Sequence, residues 1–207
     1  MVEIIYEDDF LAIVHKPAGI ASQSDEKNAD NVIFQTGWIP AHRLDQRVSG
    51  LLLMAKNEQS LALLNEAFAE HRIKKMYRAI VANRPVLPSG ILTHWLLKDG
   101  KTQKSKAFNK EVAHSTKAQL SYEVVQSSLK YHLLQIELHT GRFHQIRAQL
   151  AAIGSPIVGD IKYGYKRTTP DGSIFLQSYQ LTFQHPVTQE IVSAEIDIPE
   201  IWKKYGF

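Results

Sequence analysis

The residues with the clearest chemical potential run from His42 to Gly50, His42-Arg43-Leu44-Asp45-Gln46-Arg47-Val48-Ser49-Gly50. One carboxylate, Asp45, stands between Arg43 and Arg47. Opposite charges close by favour the ionised form of an acid. Asp45 is therefore suited to act as a nucleophile or an electrostatic partner, not as a proton donor. Ser49-Gly50 closes the loop, and Leu51-Leu52-Leu53-Met54-Ala55 follows with the length and polarity of a buried strand. A second polar group lies far along the chain, from His139 to Arg147, and a third sets Tyr77 among Lys74, Lys75 and Arg78. Each has a plain alternative. An Asp before a strand commonly caps its own backbone, arginines are common on surfaces, and strand tyrosines usually pack.

The order of the residues decides against the plain alternatives. His42-Arg43-Leu44-Asp45 shares letters with the catalytic loop of protein kinases, but a Gly-rich phosphate loop and an Asp-Phe-Gly metal site, which that chemistry needs, are missing from the sequence. From His42 to Lys56 the chain reads H-R-L-D-Q-R-V-S-G-L-L-L-M-A-K. This resembles the signature of the RluA family of RNA pseudouridine synthases, H-R-L-D-x-x-T-S-G-L-L-L-x-A-K, with Val48 in place of the usual Thr. Thr140-Gly141-Arg142-Phe143-His144-Gln145-Ile146-Arg147 resembles the family's T-G-R-x-H-Q-I-R motif. Gly159-Asp160 and Tyr163-Gly164 extend the likeness to the G-D-x-x-Y-G pattern. Lys75-Met76-Tyr77 is similar to the family's Lys-x-Tyr, and Lys16-Pro17-Ala18-Gly19 to its Lys-Pro-x-Gly turn. Gln149 departs from the family, which often has His there.

The resemblance implies an isomerase that converts specific uridines of tRNA, ribosomal RNA or both into pseudouridine. The N1–C1′ bond breaks, the uracil turns, and C5 joins C1′. The resemblance implies catalytic roles for Asp45, Tyr77 and Arg147. Asp45 would act at the sugar, Arg147 would pair with it and hold it aimed, and Tyr77 would stack on the uracil. Arg43 would fill the space left by the flipped base or hold nearby phosphates. His42, Arg142, His144, Lys16 and Lys75 are further candidate RNA contacts, and Leu44, Leu51 and Ile146 are structural support. The isomerisation has no net redox change and no net hydrolysis, so no cofactor and no metal is expected. His139 and His144 are not at the i, i+4 spacing of a helical zinc pair, and no third ligand stands out.

Two rivals remain. One is a catalytically silent RNA-binding protein derived from this fold, which would bind RNA without making product. The other is a carbohydrate enzyme, which would usually need two acids flanking the sugar; only Asp45 stands in a matching motif.

The composition is permissive. With 207 residues and 44% hydrophobic content, the chain can build one sizeable core. Lys plus Arg number 24 against 21 acids, a mild excess whose distribution matters more than its size. Cysteine is absent, which excludes disulfides, thiolate zinc sites and a Cys nucleophile. The acidic, strand-like start lacks the layout of a signal peptide. No apolar run approaches the roughly 20 residues of a membrane helix. The expectation is a single catalytic domain over residues 1–207, cytoplasmic and monomeric, with RNA as partner, no obligate protein partner and no membrane. The catalytic likeness begins within the first strands, so an N-terminal S4-type RNA-binding module is not expected.

These residues need elements to position them. Glu3 to Tyr6 and Phe10 to His15 read as a hairpin about an acidic turn. A polar loop with a short helix is expected over residues 22–36. Asn57 to Arg72 reads as a helix capped by Asn57, with Leu61, Leu64, Ala67 and Phe68 on its apolar face. Lys74 to Ala82 reads as a strand, Ile91 to Leu97 as another. The segment from Lys98 to Lys117 holds six lysines against Asp99 and Glu111, and suits either a solvated hairpin or phosphate contact. Ala118 to Gln126 and Lys130 to His139 alternate as an antiparallel pair. Ile146, Leu150 and Ile153 recur at helical spacing, with Gly154 as the C-terminal cap and Thr140-Gly141 just before the helix, whose N-terminus favours anions. Ile174 to Phe183 and Glu190 to Ile198 close the pattern, and Pro199 to Tyr205 reads as a helical tail. Adjacent strand pairs with few helices between them predict an α+β fold with a mixed, mostly antiparallel sheet. The family resemblance adds a central cleft and flanking helices.

Overall fold

A computed structural model of the chain describes residues 1–23 and 31–207. The part of the expected 22–36 loop that spans 24–30 lies outside the described residues. The elements run β1 (Glu3–Glu7), β2 (Leu11–Lys16), α1 (Val32–Thr36), β3 (Ile39–Pro40), β4 (Ser49–Ala55), α2 (Glu58–Ala69) and β5 (Lys74–Val81). They continue with β6 (Ser89–Asp99), β7 (Lys104–Phe108), β8 (Thr116–Ser127), β9 (His132–Leu138), α3 (Gln145–Ala152), β10 (Leu176–Gln184) and β11 (Ile191–Glu195). Short 3-10 turns cover Ile161–Tyr163 and Glu200–Tyr205. The fold is α+β; among the described residues most strand pairings are antiparallel, and β10 pairs with β4 in parallel. The chain forms two compact units: residues 1–75 with 177–197, and residues 76–176 with 198–207.

In the first unit, β1 and β2 form the expected hairpin. Its turn is closed by Asp8, whose Oδ1 accepts from the backbone N–H groups of Phe10 and Leu11 at 2.7 and 2.9 Å. β2 pairs with β4 along its whole length, Leu11 opposite Ala55 through Lys16 opposite Gly50. Residues 51–55 are wholly buried, as an uninterrupted apolar strand in the middle of a sheet should be. α2 begins where its cap dictates: Asn57 accepts from the Ser60 N–H at 2.8 Å. Its Leu64 and Ala67 join Leu11, Ile13, Leu51, Leu53, Leu181 and Phe183 in one core, with Leu61 and Phe68 at its margin. Gly50 has φ +132, and a Cβ there would stand 2.3 Å from the Ser178 carbonyl oxygen across the β4–β10 pairing. Only glycine permits that approach.

In the second unit, β9 lies between β5 and β8, and β6 lies between β8 and β7, all antiparallel. The basic segment forms the tip and second strand of the β6–β7 hairpin and runs on into the start of β8. Its turn is organised by Asp99, which accepts from the Lys101 N–H at 2.9 Å and from the Thr102 hydroxyl at 2.7 Å. The strand period then turns Ser105 inward and leaves Lys104 and Lys106 exposed. α3 packs Ala148 against Leu96 and Ala118 and ends at Gly154, φ +79, as expected.

Candidate active site

In the first unit, Asp45 is half-buried and its backbone carbonyl accepts from the Val48 N–H at 3.0 Å, so the acid sits in a tight turn before β4. Both of its neighbours are clamped by the turn that follows β2. Before it, Ser22 Oγ accepts from the Leu44 N–H at 3.0 Å and donates to the Leu44 carbonyl at 2.9 Å. After it, the Gln46 carbonyl accepts from the Gly19 N–H at 2.7 Å while the Gln46 side-chain amide donates back to the Gly19 carbonyl at 2.9 Å. Residue 45 is presented between two fixed points. The sequence reading missed Ser22, because nothing local to a serine 22 residues upstream marks it as the partner of Leu44.

Lys16 corrects an expectation. It is wholly buried and cannot reach a phosphate. Its ammonium donates to the carbonyls of Ile20, Pro17 and Gln46 at 2.8, 3.0 and 3.4 Å. Burial pushes the Lys16 pKa down to about 7, and the Asp45 carboxylate opposes that fall. Lys16 is thus a buried cation tied to the Asp45 loop, not an RNA contact.

His42 and Lys75 also turn inward. The His42 Nε2 accepts from the Leu53 N–H at 3.1 Å, and its ring packs against Phe68 at 5.1 Å. Although part of the residue reaches the surface, the ring lies deep, and burial followed by the Lys75 charge pushes its pKa down to about 3. A neutral ring accepting a backbone bond offers no cation to RNA. Lys75 lies over the Phe68 ring at 5.3 Å, with its pKa lowered by burial. Its expected phosphate contact gives way to packing. Arg43 is exposed.

In the second unit, Tyr77 is 6% exposed on β5, opposite Ile136 of β9. The segment before α3 is a loop organised around the Gln145 side chain. Gln145 Oε1 accepts from the Thr140 hydroxyl at 2.8 Å and the Arg142 N–H at 3.0 Å, and its amide donates to the Gln119 carbonyl at 3.0 Å. The helix therefore starts at Gln145, later than Thr140-Gly141 suggests, and is entered through His144 at φ +52. Thr140 and Gly141 do not form its N-terminus. Arg142 is exposed, with Nε donating to the Lys117 carbonyl at 3.3 Å.

Arg147 sits in the first turn of α3 with its side chain 6% exposed. Its Nε and Nη2 donate to the two oxygens of Asp160 at 2.7 and 2.9 Å, and Asp160 is wholly buried. The guanidinium carbon lies 5.0 Å from the centre of the Tyr163 ring. The Tyr163 hydroxyl accepts from the Ser105 N–H at 2.7 Å and bonds His144 Nδ1 at 3.0 Å, and the His144 ring stacks on Phe143 at 3.9 Å. Gln149, where the family often has His, is wholly buried and donates to His94 Nδ1 and the Leu92 carbonyl, each at 3.1 Å. His139 Nε2 pairs with Ser121 Oγ at 3.1 Å. Among the described residues, no group of three or more His, Cys, Asp or Glu side chains could hold a metal ion. Nor is any described helix long and apolar enough to cross a membrane.

Residues 10–152 match the family model described as RNA pseudouridylate synthase, a span that holds both motifs. "Ribosomal large subunit pseudouridine synthase C" of Rickettsia typhi is 34% identical over 95% of this chain and 68% of its own length. "tRNA pseudouridine synthase C" of Vibrio cholerae is 27% identical over 98% of this chain and 93% of its own. The structure of human RNA pseudouridylate synthase domain containing 1 superposes with a TM-score of 0.80 at 20% identity, over 98% of this chain and 86% of that one. At that identity the likeness is one of fold.

Proposed function

The chain belongs to the RNA pseudouridylate synthase family, and we propose that it isomerises uridines of tRNA or ribosomal RNA with Asp45 as the reacting carboxylate. It is an isomerase: uridine in RNA becomes pseudouridine. The observation that carries the reading is the match over residues 10–152, which includes the Asp45 loop and Arg147. The relatives' names divide between ribosomal RNA and tRNA, and both substrates stay within the proposal. Nothing favours the silent RNA-binding alternative.

The reaction exchanges a C–N for a C–C glycosidic bond. It needs a charged carboxylate at the sugar, a stacking surface for the freed base, and a way to hold the nucleotide out of its stack. In this proposal Asp45 supplies the first, Tyr77 the second and Arg43 the third, while Arg147 pairs with Asp45. Arg142 and His144 contact the RNA. Support for Asp45 comes from the clamp on Leu44 and Gln46, since a group held at a fixed position loses no freedom on reaching the transition state. We place the enzyme in the cytoplasm as a monomer. Asp45→Asn in a tritium-release assay on uridine-labelled tRNA and ribosomal RNA should give no product above background. Turnover in that variant would remove Asp45 from the mechanism, and the RNA that loses its tritium with the parent enzyme identifies the substrate.

A further inference from the structure

We infer that Asp160 is a positioning residue for catalysis: its buried carboxylate, with the Tyr163 ring, fixes the direction in which the Arg147 guanidinium points. The inference rests on the reading of Arg147 as part of the catalytic set.

A guanidinium on a flexible stem can point in many directions, and a single hydrogen bond leaves it free to swivel. Here two parallel bonds from Nε and Nη2 to the two oxygens of Asp160, at 2.7 and 2.9 Å, fix rotation about the last side-chain bonds. The Tyr163 ring, 5.0 Å from the guanidinium carbon, adds a contact beyond those bonds. Neither support is itself loose. Asp160 follows Gly159, whose φ is +84 and where a Cβ would meet the Ser173 carbonyl oxygen at 2.6 Å, so the backbone that delivers the carboxylate is closely packed. Tyr163 is held through its hydroxyl by the Ser105 N–H of β7 and by His144, which itself opens α3. The fork, the ring and the helix start therefore close one circuit around Arg147.

This arrangement has a chemical consequence. Much of the charge of Arg147 is balanced by Asp160, so the guanidinium acts less as a bare cation for phosphates than as an aimed set of donors. Asp160 is wholly buried and does not touch substrate in this account. Its effect passes through Arg147. It should therefore appear in turnover and not in RNA affinity.

The test uses the full chain and the tritium-release assay, with kcat, KM, RNA Kd and thermal midpoint measured for each variant. Asp160→Asn keeps the volume and one acceptor oxygen but loses the charge and the second acceptor. A folded Asp160→Asn should lose about a hundredfold in kcat, the scale expected for a misplacement of about 1 Å, with KM and Kd within about twofold of the parent. Tyr163→Leu, at a half-buried position, removes the ring without touching the fork; measured against Tyr163→Phe, which loses only the hydroxyl that holds His144, it should lose about tenfold in kcat at unchanged KM. It decides the matter if Asp160→Asn does not fold. Unchanged kcat in folded Asp160→Asn overturns the inference, as does a loss that appears in KM and Kd instead; if that variant does not fold, a kcat in Tyr163→Leu equal to that of Tyr163→Phe overturns it. Asp45→Asn runs beside them. If it keeps activity, the functional reading fails; if it is inactive while folded Asp160→Asn turns over normally, only the positioning role fails.

Discussion

The ammonium of Lys16 lies 3.4 Å from the carbonyl oxygen of Gln46, the residue that follows Asp45. Lys16 is the last residue of β2, and Gln46 stands in the loop that leads into the β4 strand with which β2 is paired. The bond ties the end of a core strand to the loop that carries the acid, and adds a buried positive charge whose field reaches Asp45. The loop thus inherits its position from the sheet.

Lys16→Met tests this tie. Methionine fills much of the space but removes the donor to the Pro17 and Ile20 carbonyls, while the Gln46 carbonyl keeps the Gly19 N–H. Leaving such groups unpaired costs about 1–3 kcal/mol, and the loop loses its nearby cation. The expected outcome is a lower denaturant midpoint together with a kcat loss larger than the KM change. If RNA affinity fell while stability and kcat held, Lys16 would be an RNA contact after all.

Ser22→Ala removes the other half of the clamp. Both bonds to Leu44 go, and the Leu44 backbone groups are left in a buried place. The expected cost is about 1–2 kcal/mol, read from urea unfolding, with a severalfold fall in kcat. A Thr at the same position, which keeps the hydroxyl, should recover most of both.

The sequence made the frame legible and much of the site. Asn57 capped α2 as its type predicts, the 51–55 run became a fully buried strand, and Gly154 ended α3. What it could not show were side chains whose partners are distant in sequence. A lysine in a turn looks like a surface cation until the carbonyls of Ile20 and Gln46 are seen around it. His42 looks like a polar residue beside an acid until the Leu53 N–H takes its Nε2. Asp160 stood in a matched pattern, but its bond to Arg147 depends on how the 153–164 segment returns to α3. The late start of α3 follows from Gln145 folding back on Arg142 and Thr140, which local propensity does not encode.

His42 carries a prediction about pH. Its folded pKa is about 3, below the ordinary 6.5. The unfolded chain therefore takes up a proton that the folded chain refuses as pH falls through that window. The contribution of the neutral ring is complete above pH 6.5 and is lost progressively towards pH 3. The slope attributable to this one group is at most about 1.4 kcal/mol per pH unit. His42→Gln should flatten the stability–pH curve between pH 6 and pH 4 by up to about that slope. An unchanged curve would mean that the ring is protonated in the folded state.

Gly50→Ala tests the parallel pairing of β4 with β10. A Cβ would lie 2.3 Å from the Ser178 carbonyl oxygen, in a backbone conformation of φ +132 that L residues rarely adopt. The Ser178 backbone is buried and cannot give way cheaply. Steric overlap and backbone strain together should cost roughly 4 kcal/mol or more. The measurement is soluble yield and thermal midpoint beside Gly19→Ala. Gly19 has φ +95 but open space around it, so that variant isolates backbone strain from overlap. Equal losses in the two would show that overlap at Ser178 contributes nothing.

The lysines of the β6–β7 hairpin and of the segment that follows it into β8 give the last prediction. Lys98, Lys101, Lys104, Lys106, Lys110 and Lys117 are all exposed, and two of them lie over aromatic rings, Lys98 over Phe143 at 4.7 Å and Lys106 over Phe108 at 5.1 Å. Phosphate contact depends on charge and is lost with salt, because bound counterions are released when RNA binds. Lys101→Gln and Lys104→Gln, at the exposed hairpin end, should each weaken RNA binding and reduce the slope of log Kd against log salt by about 0.7, the single-strand value for one phosphate contact. kcat at saturating RNA should stay unchanged. An unaltered salt slope in the double variant would mark the hairpin as a solvated edge, with no role in holding RNA.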